Sequence, residues 1–142
     1  MTAVVEGSGA RYKPLIPKAK AAILAALDFV EKKQAHLEVF LVSNMEIRRL
    51  NRHFRGKDKP TNVLSFGSVP GFPSPVIRRP FLGEIFLAPD YASRRGESVA
   101  RLLVHGFLHL LGYTHAGVRG KIKMEALQAR IEAHLKKKKK YF

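Results

Sequence analysis

The chain has 142 residues and no cysteine, and its 26 Lys and Arg against 11 Asp and Glu give a formal charge of +15. That length suits one domain with a buried core, and 46% hydrophobic against 26% charged residues excludes a disordered chain. Without cysteine, disulfides and thiolate metal ligands are excluded, so any transition-metal site must use His and carboxylate.

So large a basic excess favours a polyanionic partner, nucleic acid above all, because each phosphate neutralised releases condensed counterions. A generic solubility charge, or loose adhesion to ribosomes and membranes, is the competing explanation. No segment approaches the roughly twenty apolar residues that span a bilayer. The apolar run at residues 21–30 is broken by Asp28 and follows no cleavable-signal pattern, so a cytoplasmic location is expected.

In chain order, residues 2–6 read as a short strand and Gly7-Ser8-Gly9 as a turn. The alanine-rich residues 17–33 suit a helix with Ile23, Leu24, Leu27 and Val30 on one side. Residues 37–42, LEVFLV, are β-branched and aromatic enough for a strand. Ser43 and Glu46 then form a capping box opening a helix over 44–53 that buries Ile47 and Leu50. Gly56 and Pro60 break that helix, and residues 63–66 return to strand.

Arg55, Lys57 and Lys59 crowd into the intervening turn. Taken alone they read as a solvated loop, a reading that a nearby metal site would change. Residues 67–80 carry four of the eight prolines and the pair Arg78-Arg79, a loop that is either mobile or part of a binding surface. Residues 82–88 form a strand ended by Pro89-Asp90, and Asp90 is placed to cap a short helix through Ser93. Gly96 interrupts, and a new helix begins near Glu97. A last helix over 121–135 sets Met124, Leu127, Ile131 and Leu135 on one face. The lysines at 136–140 suit its negative pole, and the tail 136–142 is either disordered or a phosphate grip. Strands and helices intermix without strict alternation, so the expected class is α+β: a single domain over 1–142, one small mixed sheet of three to four strands, and about five helices over it.

The helix from Glu97 leads into HGFLHLLGYTH at residues 105–115, which holds three of the six histidines. His105 and His109 are four apart, one helical turn, the spacing at which two imidazoles reach a single metal ion. Gly112 is suited to stop the helix and swing His115 back towards them. Three imidazoles with a fourth position open make a catalytic-type zinc site, although an all-imidazole set also suits nickel or cobalt. Val99, Leu102, Leu103, Phe107, Leu110 and Leu111 form one apolar stripe around Gly106, and His105 and His109 lie off it beside Ser98 and Arg101. They are therefore not core filler, and chance rarely produces the full triple spacing. The motif fits the peptidase pattern H-E-x-x-H-x-x-G-x-x-H except at the second position, where Gly106 stands instead of the glutamate that acts as base.

Together with LNRHFRGKDKPTNVLSF at 50–66 and LGEIFLA at 82–88, this motif resembles the YbeY family of bacterial zinc-dependent endoribonucleases and rRNA maturation factors. The resemblance covers residues 37–115, over half of the chain, in ordered blocks. It implies a sheet-and-helix fold and one zinc ion on His105, His109 and His115. It also implies processing of 16S ribosomal RNA ends, small-subunit quality control, and a functional arginine at Arg55. Ribosomal RNA, a small-subunit ribosomal protein and an assembly GTPase are the implied partners.

Departures from the family pattern are Thr114 and Asn62, each where Asp is usual, Glu84 for the commoner Asp, and a basic stretch, AGVRGKIK, where the family tends to be acidic. These put the outer partners of the ligands in question, since such partners set imidazole orientation and basicity.

The leading expectation is cleavage of RNA phosphodiester bonds. Zinc either brings a water towards a pKa of about 7 or polarises a phosphoryl oxygen while the RNA 2′-hydroxyl attacks, and both routes stay open. Arg55 would bind the scissile phosphate and stabilise developing charge. Ser65 and Glu84 are candidates for orienting the centre, and Lys57, Lys59, Arg78 and Arg79 for tracking backbone phosphates. An alternative of another class is an RNA-binding ribosome-assembly factor with a structural or vestigial zinc site, to which Asn62 and Thr114 lend weight. A metallopeptidase is weakened by Gly106.

Overall fold

Alternation of apolar and polar residues builds a two-faced sheet in the computed structural model, which describes residues 2–31, 35–67, 81–114 and 116–137. The strands are β1 (Thr2–Gly7), β2 (His36–Leu41), β3 (Val63–Gly67) and β4 (Phe81–Leu87). They lie in the order β1-β2-β4-β3. β1, β2 and β4 run parallel, and β3 pairs antiparallel with β4 at the edge. The helices are α1 (Ile16–Phe29), α2 (Asn44–Arg55), α3 (Pro89–Arg94), α4 (Val99–Leu110) and α5 (Gly117–Lys137). Among the described residues, one mixed four-stranded sheet with five α-helices is the expected α+β architecture.

Leu37, Val39, Leu41, Ile85 and Leu87 point to one face, where Ile23 and Leu27 of α1, Leu103, Phe107 and Leu108 of α4, and Met124 and Ile131 of α5 close the main core. Each of these large side chains is fully buried, contributing roughly 1.5–3 kcal/mol over an exposed position. The alternate residues Phe40, Phe86, Leu64 and Phe66 point to the opposite face, where Ile47 and Leu50 of α2 cover them. α2 and α4 therefore pack on opposite sides of the sheet.

α2 begins where the capping box places it: Ser43 Oγ accepts from the Glu46 N–H at 3.2 Å, and Glu46 Oε1 accepts from the Ser43 N–H at 3.4 Å. Burial pushes the Glu46 carboxyl up, but hydrogen bonds from Ser8 and Ser43 prevail and hold it below its ordinary value.

Several boundaries differ from the sequence expectation. α1 stops at Phe29, because the Glu31 N–H closes a tight turn onto the Asp28 carbonyl at 3.0 Å and Glu31 takes a φ of 57°, which no helix continues. A 3₁₀ turn over Ala10–Leu15 had no periodic signature, and it buries Tyr12. Asp90 does not cap α3: Ala88 stands at that position, and the Asp90 carboxylate instead accepts from Arg11 at 3.1 Å and from the Tyr12 hydroxyl at 2.9 Å. α5 begins at Gly117, four residues earlier than the apolar pattern, after Thr114 Oγ1 accepts the Ala116 N–H at 3.2 Å. Of the basic tail, Lys136 and Lys137 belong to α5, and residues 138–142 lie outside the described residues.

Candidate metal centre

Ser98 opens α4 by accepting the Arg101 N–H at 3.3 Å, and the helix then carries its apolar stripe into the core. Glycine in mid-helix costs about 1 kcal/mol against alanine, and the packing at Gly106 explains why it is there. A Cβ at Gly106 would stand 2.9 Å from Ser65 Oγ, 3.2 Å from Ile85 Cγ2 and 3.4 Å from Val63 Cγ2. The helix thus lies directly on β3 and β4, and Ser65 Oγ donates to the Gly106 carbonyl at 3.1 Å. The position that a peptidase of this spacing would give to its glutamate has no room for a side chain. Steric contact, as well as residue identity, removes that base.

His105 and His109 emerge half-buried, with rings 4.6 Å apart between centroids and nearly perpendicular at 83°. His109 Nδ1 faces the Tyr113 carbonyl at 3.0 Å, so it carries the proton and donates it, leaving the lone pair on Nε2. His105 Nδ1 faces the Gln128 Oε1 at 3.4 Å. The two Nε2 atoms meet at 3.0 Å. Two imidazole nitrogens on one tetrahedral zinc stand about 3.3 Å apart, given Zn–N bonds of about 2.0–2.1 Å. Converging lone pairs repel unless a cation or a shared proton lies between them, so the pair fits a metal. The turn at Gly112, with a φ of 97°, ends the helix as anticipated. The third expected ligand, His115, lies outside the described residues, and among those residues no group of three potential ligands is complete.

Ser65 and Glu84, the candidates for orienting the centre, lie on β3 and β4. Ser65 Oγ bonds the backbone of α4 at Gly106, next to His105. Gly83 meets Leu110 of α4, and the pleat then turns Glu84 to the opposite face, beside Glu38 of β2. There, burial and the Glu38 charge hold the Glu84 carboxyl above its ordinary value of 4.5. Its protonated form is favoured by folding, so stability from this group is present at low pH and is lost as pH rises through the raised value. Glu84→Gln is therefore expected to raise stability at pH 7 by about 0.2–1 kcal/mol, as relief of a like-charge pair does. The gain should fade below pH 4.5, and zinc content should stay unchanged; denaturant midpoints at pH 7 and pH 4 with metal analysis check this.

Thr114, which stands where the family pattern has Asp, faces the backbone turn, and His109 Nδ1 meets the Tyr113 carbonyl, which any residue at 114 leaves in place. Asn62 donates to Glu97 Oε2 at 3.1 Å, and its Oδ1 accepts the Val63 N–H at 2.7 Å. An amide suits that place, since an Asp would meet the Glu97 carboxylate. Asn62 and Glu97 line a cavity of about 520 Å³ with Arg101, His105, Glu125 and Gln128.

Arg55 occupies the exposed last turn of α2, capped by the left-handed Gly56. Its neighbour Phe54 packs on Phe66 at 5.0 Å, on the sheet face away from the histidines but at the end of β3 that meets the end of α4. Among the described residues no ion pair or side-chain hydrogen bond engages Arg55. Lys57 and Lys59 are exposed in the loop that follows, which buried Asn51 secures by donating to the Lys59 carbonyl at 2.8 Å. Arg78 and Arg79 lie outside the described residues. Among the described residues no helix is long and apolar enough to cross a membrane.

A family model described as Endoribonuclease YbeY matches residues 8–136. The chain is 40% identical over 126 residues to an Endoribonuclease YbeY of Bradyrhizobium sp., covering 80% of this chain and 75% of that one. It is 38% identical over 119 residues to one of Rhizobium etli, covering 73% and 65%, and 38% identical over 127 residues to one of Francisella tularensis subsp. mediasiatica, covering 80% and 78%. A solution structure from Thermotoga maritima superposes with a TM-score of 0.57 at 26% identity, covering 96% of this chain and 93% of that one. A family match across nearly all of the fold, histidine helix included, makes this chain a member of the YbeY endoribonuclease family.

Proposed function

We propose that this chain is a zinc-dependent endoribonuclease, with His105, His109 and His115 holding one zinc ion and Arg55 engaging the scissile phosphate. The observation that carries this reading is the meeting of two Nε2 lone pairs at 3.0 Å on α4, in a family named for cleaving RNA. Zinc in that position supplies a Lewis acid for phosphodiester chemistry.

The chain's own residues prepare the rest. The Tyr113 carbonyl and Gln128 Oε1 accept hydrogen bonds from the two Nδ1–H groups, which turns each Nε2 towards the place of the metal. Arg55 offers a planar fork of donors to a phosphate, while Lys57, Lys59, Arg78 and Arg79 follow the backbone, and the charge of +15 draws the polyanion in. Within this reading the substrate is the 16S ribosomal RNA at its ends, in cytoplasmic small-subunit maturation and quality control. A small-subunit ribosomal protein and an assembly GTPase are partners on the strength of family resemblance.

Protein purified without a histidine tag is expected to contain close to one zinc per chain and to cleave single-stranded RNA. Chelation should abolish cleavage and added zinc restore it; cleavage undiminished in metal-free protein sinks the proposal. A second reading, an RNA-binding assembly factor with a structural or vestigial zinc, is favoured by one observation: neither Asn62 nor Thr114 offers a carboxylate near the centre. Small-subunit maturation rescued by a variant lacking the ligands would select it.

A further inference from the structure

α5 contributes a polar pair that the mechanism above uses only in passing. Gln128 and Glu132 are four residues apart on one face of α5, turned towards α4. Gln128 Nε2 donates to Glu132 Oε1 at 3.0 Å. The same carboxylate oxygen receives Arg101 Nε from α4 at 3.3 Å, so Glu132 is held from both helices. An amide can present either its oxygen or its nitrogen to a neighbour. Here Glu132, which only accepts, fixes the nitrogen towards itself and leaves Oε1 facing His105 Nδ1 at 3.4 Å.

We propose that Gln128 is a positioning residue for the metal centre, with Glu132 as its anchor: the pair fixes the tautomer of His105 that presents Nε2 to a metal. The inference rests on the zinc reading above. A carboxylate pulling on the amide N–H polarises its carbonyl, which strengthens it as acceptor for the imidazole N–H and makes Nε2 the better donor to a cation. The 3.4 Å contact is long, and a cation on Nε2 would make the remaining N–H more acidic and a stronger donor to this oxygen. Removing Gln128 takes this acceptor away from the Nδ1–H of His105.

The experiment measures zinc affinity by competition with a chromophoric chelator, together with thermal unfolding of the metal-free protein. Gln128→Leu, close in volume and apolar, is expected to weaken zinc binding about 10- to 100-fold, the range seen when outer partners of ligating histidines are removed. Metal-free unfolding should stay near wild type. Gln128→Glu restores an acceptor and is expected to recover most of the affinity, and Glu132→Leu to lose part of it. Cobalt substituted for zinc should show an altered visible spectrum in Gln128→Leu. Zinc affinity of Gln128→Leu within threefold of wild type overturns the positioning role, as does a loss that Gln128→Glu fails to repair. A wild-type protein that binds no zinc overturns the metal-centre reading itself, which distinguishes the two failures.

Discussion

His109→Ala is expected to keep its fold, to lose zinc, and to lose RNA cleavage by roughly a thousandfold or more. The magnitude follows from the several kcal/mol of charge stabilisation that a metal centre supplies, at tenfold in rate per 1.36 kcal/mol. His109 sits half-buried at the end of α4, off the stripe that fills the core, so truncation leaves Leu103, Phe107 and Leu108 in place. Metal-free stability should therefore change by only about 0.5–1 kcal/mol. Linkage offers a second measurement: at a hundredfold excess of zinc over its dissociation constant the wild type gains about 2.7 kcal/mol, and the variant should gain almost nothing. A variant with full zinc content, or with wild-type cleavage in nuclease-free preparations, contradicts the assignment.

Arg55→Ala is expected to separate chemistry from metal binding. Its guanidinium is exposed and unengaged among the described residues, so removing it should leave stability within about 0.5 kcal/mol and zinc content at one per chain. Cleavage should fall about 100- to 1000-fold, the usual cost of one preorganised donor to a developing negative charge. Arg55→Lys keeps the charge but loses the fork, and partial activity is expected. The fold makes this a demanding test. α2 packs on the face of the sheet away from α4, so Arg55 can reach a phosphate at the histidines only by passing around β3, the outer strand among the described residues. Undiminished cleavage in Arg55→Ala would show that the arginine stays on its own side.

Residues near one another in the chain made much of this protein legible from its sequence. The capping box of Ser43 and Glu46, the stop at Gly112, the apolar stripe of α4 and the one-turn spacing of His105 and His109 depend on neighbours within a few positions, where helical and extended periodicities act directly. The class of fold followed from the same local patterns, and the three motif blocks carried the resemblance to one family.

Contacts between distant residues were decided by packing. The choice of Gln128 as partner of His105 spans 23 residues, the Asn62–Glu97 pair 35, and the Ser65 hold on the Gly106 carbonyl 41. Glu84 reads in sequence as an acid within a functional block, yet the strand pleat sends it to the face opposite the histidines, because Gly83 is needed against Leu110. The sequence alone determined which residues have the chemistry for a metal and a phosphate. The tertiary structure decided which of them share a face, since a strand alternates sides at every residue and only the packed helices determine which side holds the site.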